Sequence, residues 1–337
     1  MAKKLARRAT IYDVASEAGV SITTVSRFLN STKEVKAETG ERIAEAMENL
    51  DYIPHGNTGT RADRSVGRIG VLTPFFPAPS FAQRLEGIIP VFRSENVETV
   101  VYTIESLEQL DEYLMSVPFT RRIDGLILMS VRLTDEQRRT LAASGLHVVM
   151  VETDDDNYPR VLADDYQGGR IAAELFHKKD YFPCAYMGDR NKGVVYSLHP
   201  SEIRLNGFRE TLTAKGRSLD PVNILESDTT VEDAESIFGA HLDRNGAPRA
   251  VFAMSDIQAI GILKAVRKRG LRVPEDIAVL GFDDIEAADW MELSSITQHL
   301  GDSGRIAAGL LLERIVGQGT ALQKVNLQVE LVERSTT

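Results

Sequence analysis

Residues 10–30 read TIYDVASEAGVSITTVSRFLN, two short amphipathic runs around a glycine. Thr10 can cap a helix, with Asp13 three residues on answering as in a capping box. That helix is expected to run through Ala18 and stop at Gly19, which can take the positive φ of a tight turn. Ser21 then caps a second helix over 21–30. Counted from Ile11, alanine holds the fifth place (Ala15) and glycine the ninth (Gly19). Apolar residues hold the fourth, tenth, fifteenth and eighteenth (Val14, Val20, Val25, Phe28). Two short helices that cross steeply need a small residue at the contact, a glycine in the turn and branched apolar residues closing the angle. A third amphipathic helix is predicted at about 37–50, with Ile43, Met47 and Leu50 on one stripe. A plain helical hairpin is the bland alternative. The register of small, glycine and apolar positions beside basic residues favours a helix-turn-helix.

In such a motif the second helix enters the major groove by its N-terminal end. Its outward residues there are Ile22, Thr23, Ser26 and Arg27. Thr23 and Ile22 offer hydroxyl and methyl contacts to base edges, and Arg27 can pair bidentately with guanine. Tyr12, Thr24, Ser26, Asn30 and Thr39 carry polar groups suited to phosphates. Any one of them could be a capping or solvated residue, so the set carries the argument.

The charge supports this division. The chain of 337 residues has a net charge of -10. Residues 1–36 hold seven Lys/Arg against three Asp/Glu, and residues 1–68 hold eleven against nine, so residues 69–337 carry -12. A basic head on an acidic body is expected when one end meets phosphate and the rest stays off it. With 43% hydrophobic and 26% charged residues, the composition is that of a globular protein with a core, and the length suggests two to three domains. No run approaches a membrane span, and the basic start lacks the apolar stretch of a signal peptide. One cysteine (Cys184) and six scattered histidines give no disulfide and no metal-ligand spacing. A cytoplasmic protein without metal or cofactor is the expectation.

TIYDVASEAGVSITTVSRFLN followed by ETGERIAEAMENLDYIP resembles the N-terminal signature of the LacI/GalR family of bacterial transcription repressors. The resemblance implies that Ile22, Thr23 and Arg27 occupy base-reading positions. Ile11, Ser21, Tyr52, His55 and Arg61 then join the DNA-contacting set. It also implies a homodimer on a pseudo-palindromic operator, controlled by a small molecule. After Tyr52-Ile53-Pro54 this chain departs from the family pattern. Where a short hinge helix with a minor-groove leucine is usual, it reads His55-Gly56-Asn57-Thr58-Gly59-Thr60-Arg61-Ala62, with Arg61 at the leucine's place. Two glycines oppose a short helix by about 1 kcal/mol each. Arg61 is then either a minor-groove cation or a solvated linker charge.

From residue 68 onward, apolar runs alternate with longer amphipathic segments. The runs are 68–75, 98–104, 124–131, 147–152, 184–189, 250–256 and 277–284; the segments include 80–94, 165–179, 201–216, 256–270 and 302–317. Continuous apolar strands between helices mean parallel sheets covered on both faces. About 270 residues exceed one open sheet, so two α/β lobes are expected. This resembles the type I periplasmic sugar-binding fold. The expected plan is an all-α helix-turn-helix domain over 1–54, a linker over 55–67, and an effector-binding and dimerisation domain over 68–337. Its N-lobe spans about 68–163 and 299–326, its C-lobe about 164–298 and 327–337.

Ligands in such sheets sit at the carboxyl ends of the strands. Polar groups there are Ser130, Asp165, Asp189, Ser255-Asp256 and Asp283-Asp284, with Arg204 opening a helix and Gln298 following Ser295-Ile296-Thr297. Phe75, Phe76 and Phe81 stand beside the first strand end. Carboxylates and a guanidinium suit vicinal hydroxyls, while rings cover the apolar face of a sugar. By resemblance Arg204, Ser255, Asp283 and Gln298 match effector-contacting positions. Asp256 and Asp284 read better as helix caps, and Trp290 is placed outside the site. A sugar effector is favoured, with a purine as the alternative and a protein co-effector also compatible.

Enzyme chemistry is not expected. The acids at 154–156 read as a loop charge run, since neighbours in sequence do not oppose one another across a bond. Neither GxxxxGK[ST], GxSxG nor GxGxxG occurs, and Gly168-Gly169 lies inside a helix pattern. The competing reading is a cytoplasmic sugar-binding or sugar-processing protein with an incidental helical N-terminus.

Overall fold

The computed structural model describes residues 10–30, 35–50, 67–74, 76–118, 122–190, 198, 200–319 and 321–337. The side chains of Asn30, Ala37 and Glu48 lie outside that description. So do the expected contacts at Tyr52, His55, Arg61 and Phe75, with the linker over 55–66.

Three helices form the head: α1 (Ile11–Glu17), α2 (Ile22–Asn30) and α3 (Ala37–Asn49). Thr10 and Asp13 close the capping box on α1, and the Thr24 amide donates to Ser21 Oγ at 3.2 Å at the start of α2. Gly19 makes the turn at φ +62°. A residue that sequence spacing did not single out locks this turn: Arg42 of α3 donates to the carbonyls of Ala18 and Gly19, occupying α1's orphaned C-terminal acceptors. Val14, Ala15, Val25 and Ile43 are buried between the helices.

The rest of the described chain builds two six-stranded sheets of matching topology. The first has the order β2-β1-β3-β4-β5-β11, with β1 (Arg68–Pro74), β2 (Glu98–Ile104), β3 (Gly125–Met129), β4 (His147–Val151), β5 (Arg160–Ala163) and β11 (Lys324–Leu327). The second has the order β7-β6-β8-β9-β10-β12, with β6 (Cys184–Asp189), β7 (Ile224–Ser227), β8 (Ala250–Ala253), β9 (Ala278–Asp283), β10 (Ser294–Thr297) and β12 (Glu330–Val332). Every described pairing is parallel except β10 with β12. Each sheet separates two apolar clusters, one per face, which is why its central strands are continuous hydrophobic runs.

The first sheet is covered by α4 (Pro79–Ser94), α5 (Leu107–Ser116), α6 (Asp135–Ser144) and α12 (Leu300–Ile315). The second is covered by α7 (Asp165–Lys178), α8 (Pro200–Ala214), α9 (Val231–Asn245), α10 (Asp256–Lys268) and α11 (Glu286–Trp290). The chain crosses between lobes three times: from β5 to α7, from β10 to α12, and from β11 to β12. No described helix is long and apolar enough to cross a membrane.

Candidate functional site

On the head, Thr23 and Arg27 are exposed and Val25 is buried, as an outward recognition face requires. One residue corrects the expected contact set. Ile11 is 3% exposed, so its side chain belongs to the core and only its backbone could meet DNA. Ile22 is half-buried against the three-helix core, as Tyr12, Thr24 and Ser26 are half-buried, so part of its side chain stays at the surface of α2.

The carboxyl ends of both sheets open onto one cleft of about 960 Å³, within the usual range for small-ligand sites. Phe81, Ser130, Asp165, Arg204, Ser255, Asp283 and Gln298 all line it. Phe76 does not: it is 42% exposed on the turn before α4, outside the lining. Asp256 and Asp284 are not the caps that the sequence suggests. Ser255 caps α10, taking the Gln258 amide at 3.3 Å. Asp256 is instead sealed beneath the cleft, accepting from Ser295 Oγ at 2.6 Å and the Ile285 amide at 2.9 Å. Burial, with the Asp283 charge next, pushes its carboxyl well above the usual range. Asp284 pairs with Arg334 at 2.8 Å. Asp164, rather than Asp165, caps α7, which frees Asp165 to reach across to α8. Trp290 is 75% exposed and outside the lining.

On the C-lobe wall, Arg204 is buried and donates to Asp165 at 2.8 Å and to the Met254 carbonyl. Its guanidinium stacks 3.5 Å from the Phe282 ring centroid. Asp283 accepts from Gln298 Nε2 at 2.5 Å. Burial pushes the Asp283 carboxyl up to about 6 despite the opposing pull of Arg204 and Arg84.

The N-lobe wall holds two residues that sequence reading missed. Glu152 follows β4, and Arg84 lies within α4 at 1% exposure. Arg84 and Ser130 both donate to Glu152, and Arg84 also donates to Gln298 Oε1 at 3.2 Å. Glu152 could have been found by the strand-end rule that selected Ser130. Arg84 could not, since an arginine on an amphipathic helix ordinarily reads as solvated. The acids at 154–156 are ion-paired rather than free: Asp154 and Asp156 hold Arg160, and Asp155 holds Arg138 at 2.7 Å.

Three wall residues sit in left-handed backbone without being glycine: Ser130 at φ +52°, Glu152 at +67° and Asp283 at +109°. Each such conformation costs on the order of 1–3 kcal/mol and persists where surrounding bonds over-determine it. The strand ends are thus bent to aim polar side chains inward.

Comparison with known proteins gives a consistent pattern. Residues 10–55 match the family "Bacterial regulatory proteins, lacI family", and residues 176–337 match a "Periplasmic binding protein-like domain". The HTH-type transcriptional repressor PurR of Pasteurella multocida is 28% identical, over 97% of this chain and 98% of that protein. Among solved structures, a complex of the transcriptional regulator CelR with cellobiose superposes with a TM-score of 0.71 at 26% identity, covering 98% of this chain and all of that one. The lac repressor dimer bound to operator and an anti-inducer gives 0.70 at 26% identity, covering 98% and 99%. Each of these relatives is a transcriptional regulator.

Proposed function

We propose that the chain is a DNA-binding transcriptional regulator of the LacI family, a homodimeric repressor whose operator affinity is set by a sugar held between its two lobes. The observation that carries this reading is the convergence of paired ions from both lobes on one cleft, in a chain that also bears a helix-turn-helix head. Glu152, Asp165 and Asp283 accept from hydroxyls, Arg204 and Gln298 donate to them, and Phe81 supplies an apolar face. That donor set suits vicinal diols. The cellobiose held by CelR supports the same ligand class.

On the head, Ile22, Thr23 and Arg27 are the proposed base readers; Tyr12, Ser21, Thr24, Ser26 and Thr39 are the proposed phosphate contacts. A dimer would place two heads on half-sites one helical turn apart. Closure of the lobes on ligand would move the linkers and change the spacing of the heads, a coupling free energy of about 1–3 kcal/mol that works equally in reverse.

The test pairs two measurements on the full chain. Selection from random duplexes should recover a pseudo-palindrome. A melting screen of pentoses, hexoses, disaccharides and nucleobases should find a sugar that shifts both the melt and the selected duplex's affinity. Recovery of no preferred duplex would remove the regulator reading, and a response to nucleobases alone would replace the ligand class.

A further inference from the structure

Arg84, Gln298 and Asp283 form a buried polar path from one lobe to the other. Arg84 belongs to α4 on the first sheet, and Asp283 ends β9 in the second. Gln298 lies between them, on the crossover from β10 to α12, and is 3% exposed. Its amide works in both directions: Oε1 accepts from Arg84 at 3.2 Å, and Nε2 donates to Asp283 at 2.5 Å. Glu152, itself held by Ser130, pairs with Arg84 and fixes the direction of its guanidinium. The next residue, His299, is in left-handed backbone at φ +53°, so the crossover turns sharply where the path passes through it.

We propose that Arg84 is a positioning residue that sets the angle between the lobes, acting through Gln298 on Asp283. The physical reason lies in the cost of breaking the path. Opening the lobes would separate Arg84 from Gln298 and exchange a bond made in the low-dielectric cleft wall for hydration of both groups, which favours the closed angle by the bond's net worth. Glu152 neutralises Arg84 without satisfying it, since the Arg84 Nε has no partner. The crossover amide is therefore the group that converts an N-lobe ion pair into a constraint on the C-lobe. A ligand that hydrogen-bonds Glu152 or Asp283 competes for, or completes, the same path.

This inference rests on the cleft being the regulatory site only for its consequence. Its test uses neither effector nor operator, so the two can fail separately. Spin labels on Glu136→Cys (N-lobe) and Glu232→Cys (C-lobe) of the full chain report the lobe separation by pulsed dipolar spectroscopy. Excess unlabelled protein keeps each label pair within one protomer. Cys184 is buried, with its thiol pushed up to about 12 by burial, so it stays unlabelled. Arg84→Met and Gln298→Met are each expected to shift the distribution to longer distance and broaden it. The double variant should do no more than either alone, and Arg84→Lys should recover part of the shift. Gln298→Met leaves the Arg84–Glu152 pair in place, so it tests the path even if Arg84→Met fails to fold. A Gln298→Met distribution matching the parent's, with a cooperative melt intact, overturns the proposal, as does a shift in the double variant equal to the sum of the singles.

Discussion

Asp283 concentrates the energetics of the site in one carboxyl group. Its folded pKa of about 6 lies above the value near 3.9 of an unfolded aspartate, so the folded chain binds the extra proton between those limits. This group's contribution to stability is therefore greatest below about pH 4 and is lost as pH rises through about 6, opposite to an ion-paired carboxylate. A two-unit shift corresponds to about 3 kcal/mol at most. Asp283→Asn keeps an acceptor for Gln298 and removes the charge that also burdens Asp256. It is expected to raise unfolding stability at pH 7.5 by on the order of 1–3 kcal/mol, an advantage that fades by pH 4.5 in denaturant titrations. A pH-independent difference would assign the gain to packing instead. On the head, Arg27→Ala should weaken specific duplex binding by about 1–3 kcal/mol and relax preference at one base position. Equal loss on specific and random duplexes would show that Arg27 touches only phosphate. At this scale the sequence was partly legible. Ser130, Asp283 and Gln298 could be placed at the cleft because strand ends are where open α/β sheets present side chains, while Arg204, on a helix, was placed there by the family resemblance. Arg84 could not, because its burial depends on Glu152 and Gln298, 68 and 214 residues away.

Between elements, the pairing of α7 with α8 decides whether Arg204 meets Asp165. The two helices approach through facing glycines: a Cβ on Gly169 would lie 2.0 Å from the Arg204 carbonyl, and one on Gly207 2.1 Å from the Tyr166 carbonyl. Both obstacles are backbone, so neither can swing aside. The sequence showed Gly168-Gly169 only as glycines inside a helix pattern; the close approach explains why helix propensity was surrendered there. Gly207→Ala should force the helices apart at a cost of about 1–3 kcal/mol. It should also pull Arg204 off Asp165. Calorimetry on a sugar found by the screen should then show weakened binding in a chain that still folds, with duplex affinity unchanged. Unchanged sugar affinity would mean that Arg204 is positioned by Phe282 and Met254 alone. Element prediction succeeded where hydrophobic periodicity is strong, as for the runs at 98–104 and 184–189, which are β2 and β6 to the residue. Its apolar runs left out β5, β7, β10, β11 and β12, strands of three or four residues. Three of these are half-exposed through much of their length, and β11 and β12 join their sheets only after a crossover from far along the chain. Their short, mixed patterns give too few periods to separate a strand from a loop.

Across the whole molecule, the division of charge sets how the protein meets its duplex. The head region carries a small positive excess while residues 69–337 carry -12. Attraction to phosphate is thus confined to one end, and the body is repelled from the same polyanion. Two consequences follow from counterion release. Operator affinity should fall steeply with salt: a protein making roughly 6–10 phosphate contacts loses about 10³–10⁵-fold between 50 and 200 mM. Residues 68–337 alone should retain any sugar binding and show no duplex affinity at 50 mM salt, because the acidic body supplies no phosphate contact. The repulsion acts through solvent over about 10 Å at 0.1 M salt, so it aligns the body away from DNA without preventing the head from docking. Replacing exposed body acids with their amides, for instance Glu136→Gln with Glu232→Gln, should leave specific affinity nearly unchanged while strengthening non-specific binding at low salt. Filter binding to a selected operator and to a scrambled duplex, each at four salt concentrations, separates the effects. A body fragment that binds duplex by itself, or a full chain whose affinity is indifferent to salt, would show that the charge division plays no part in recognition.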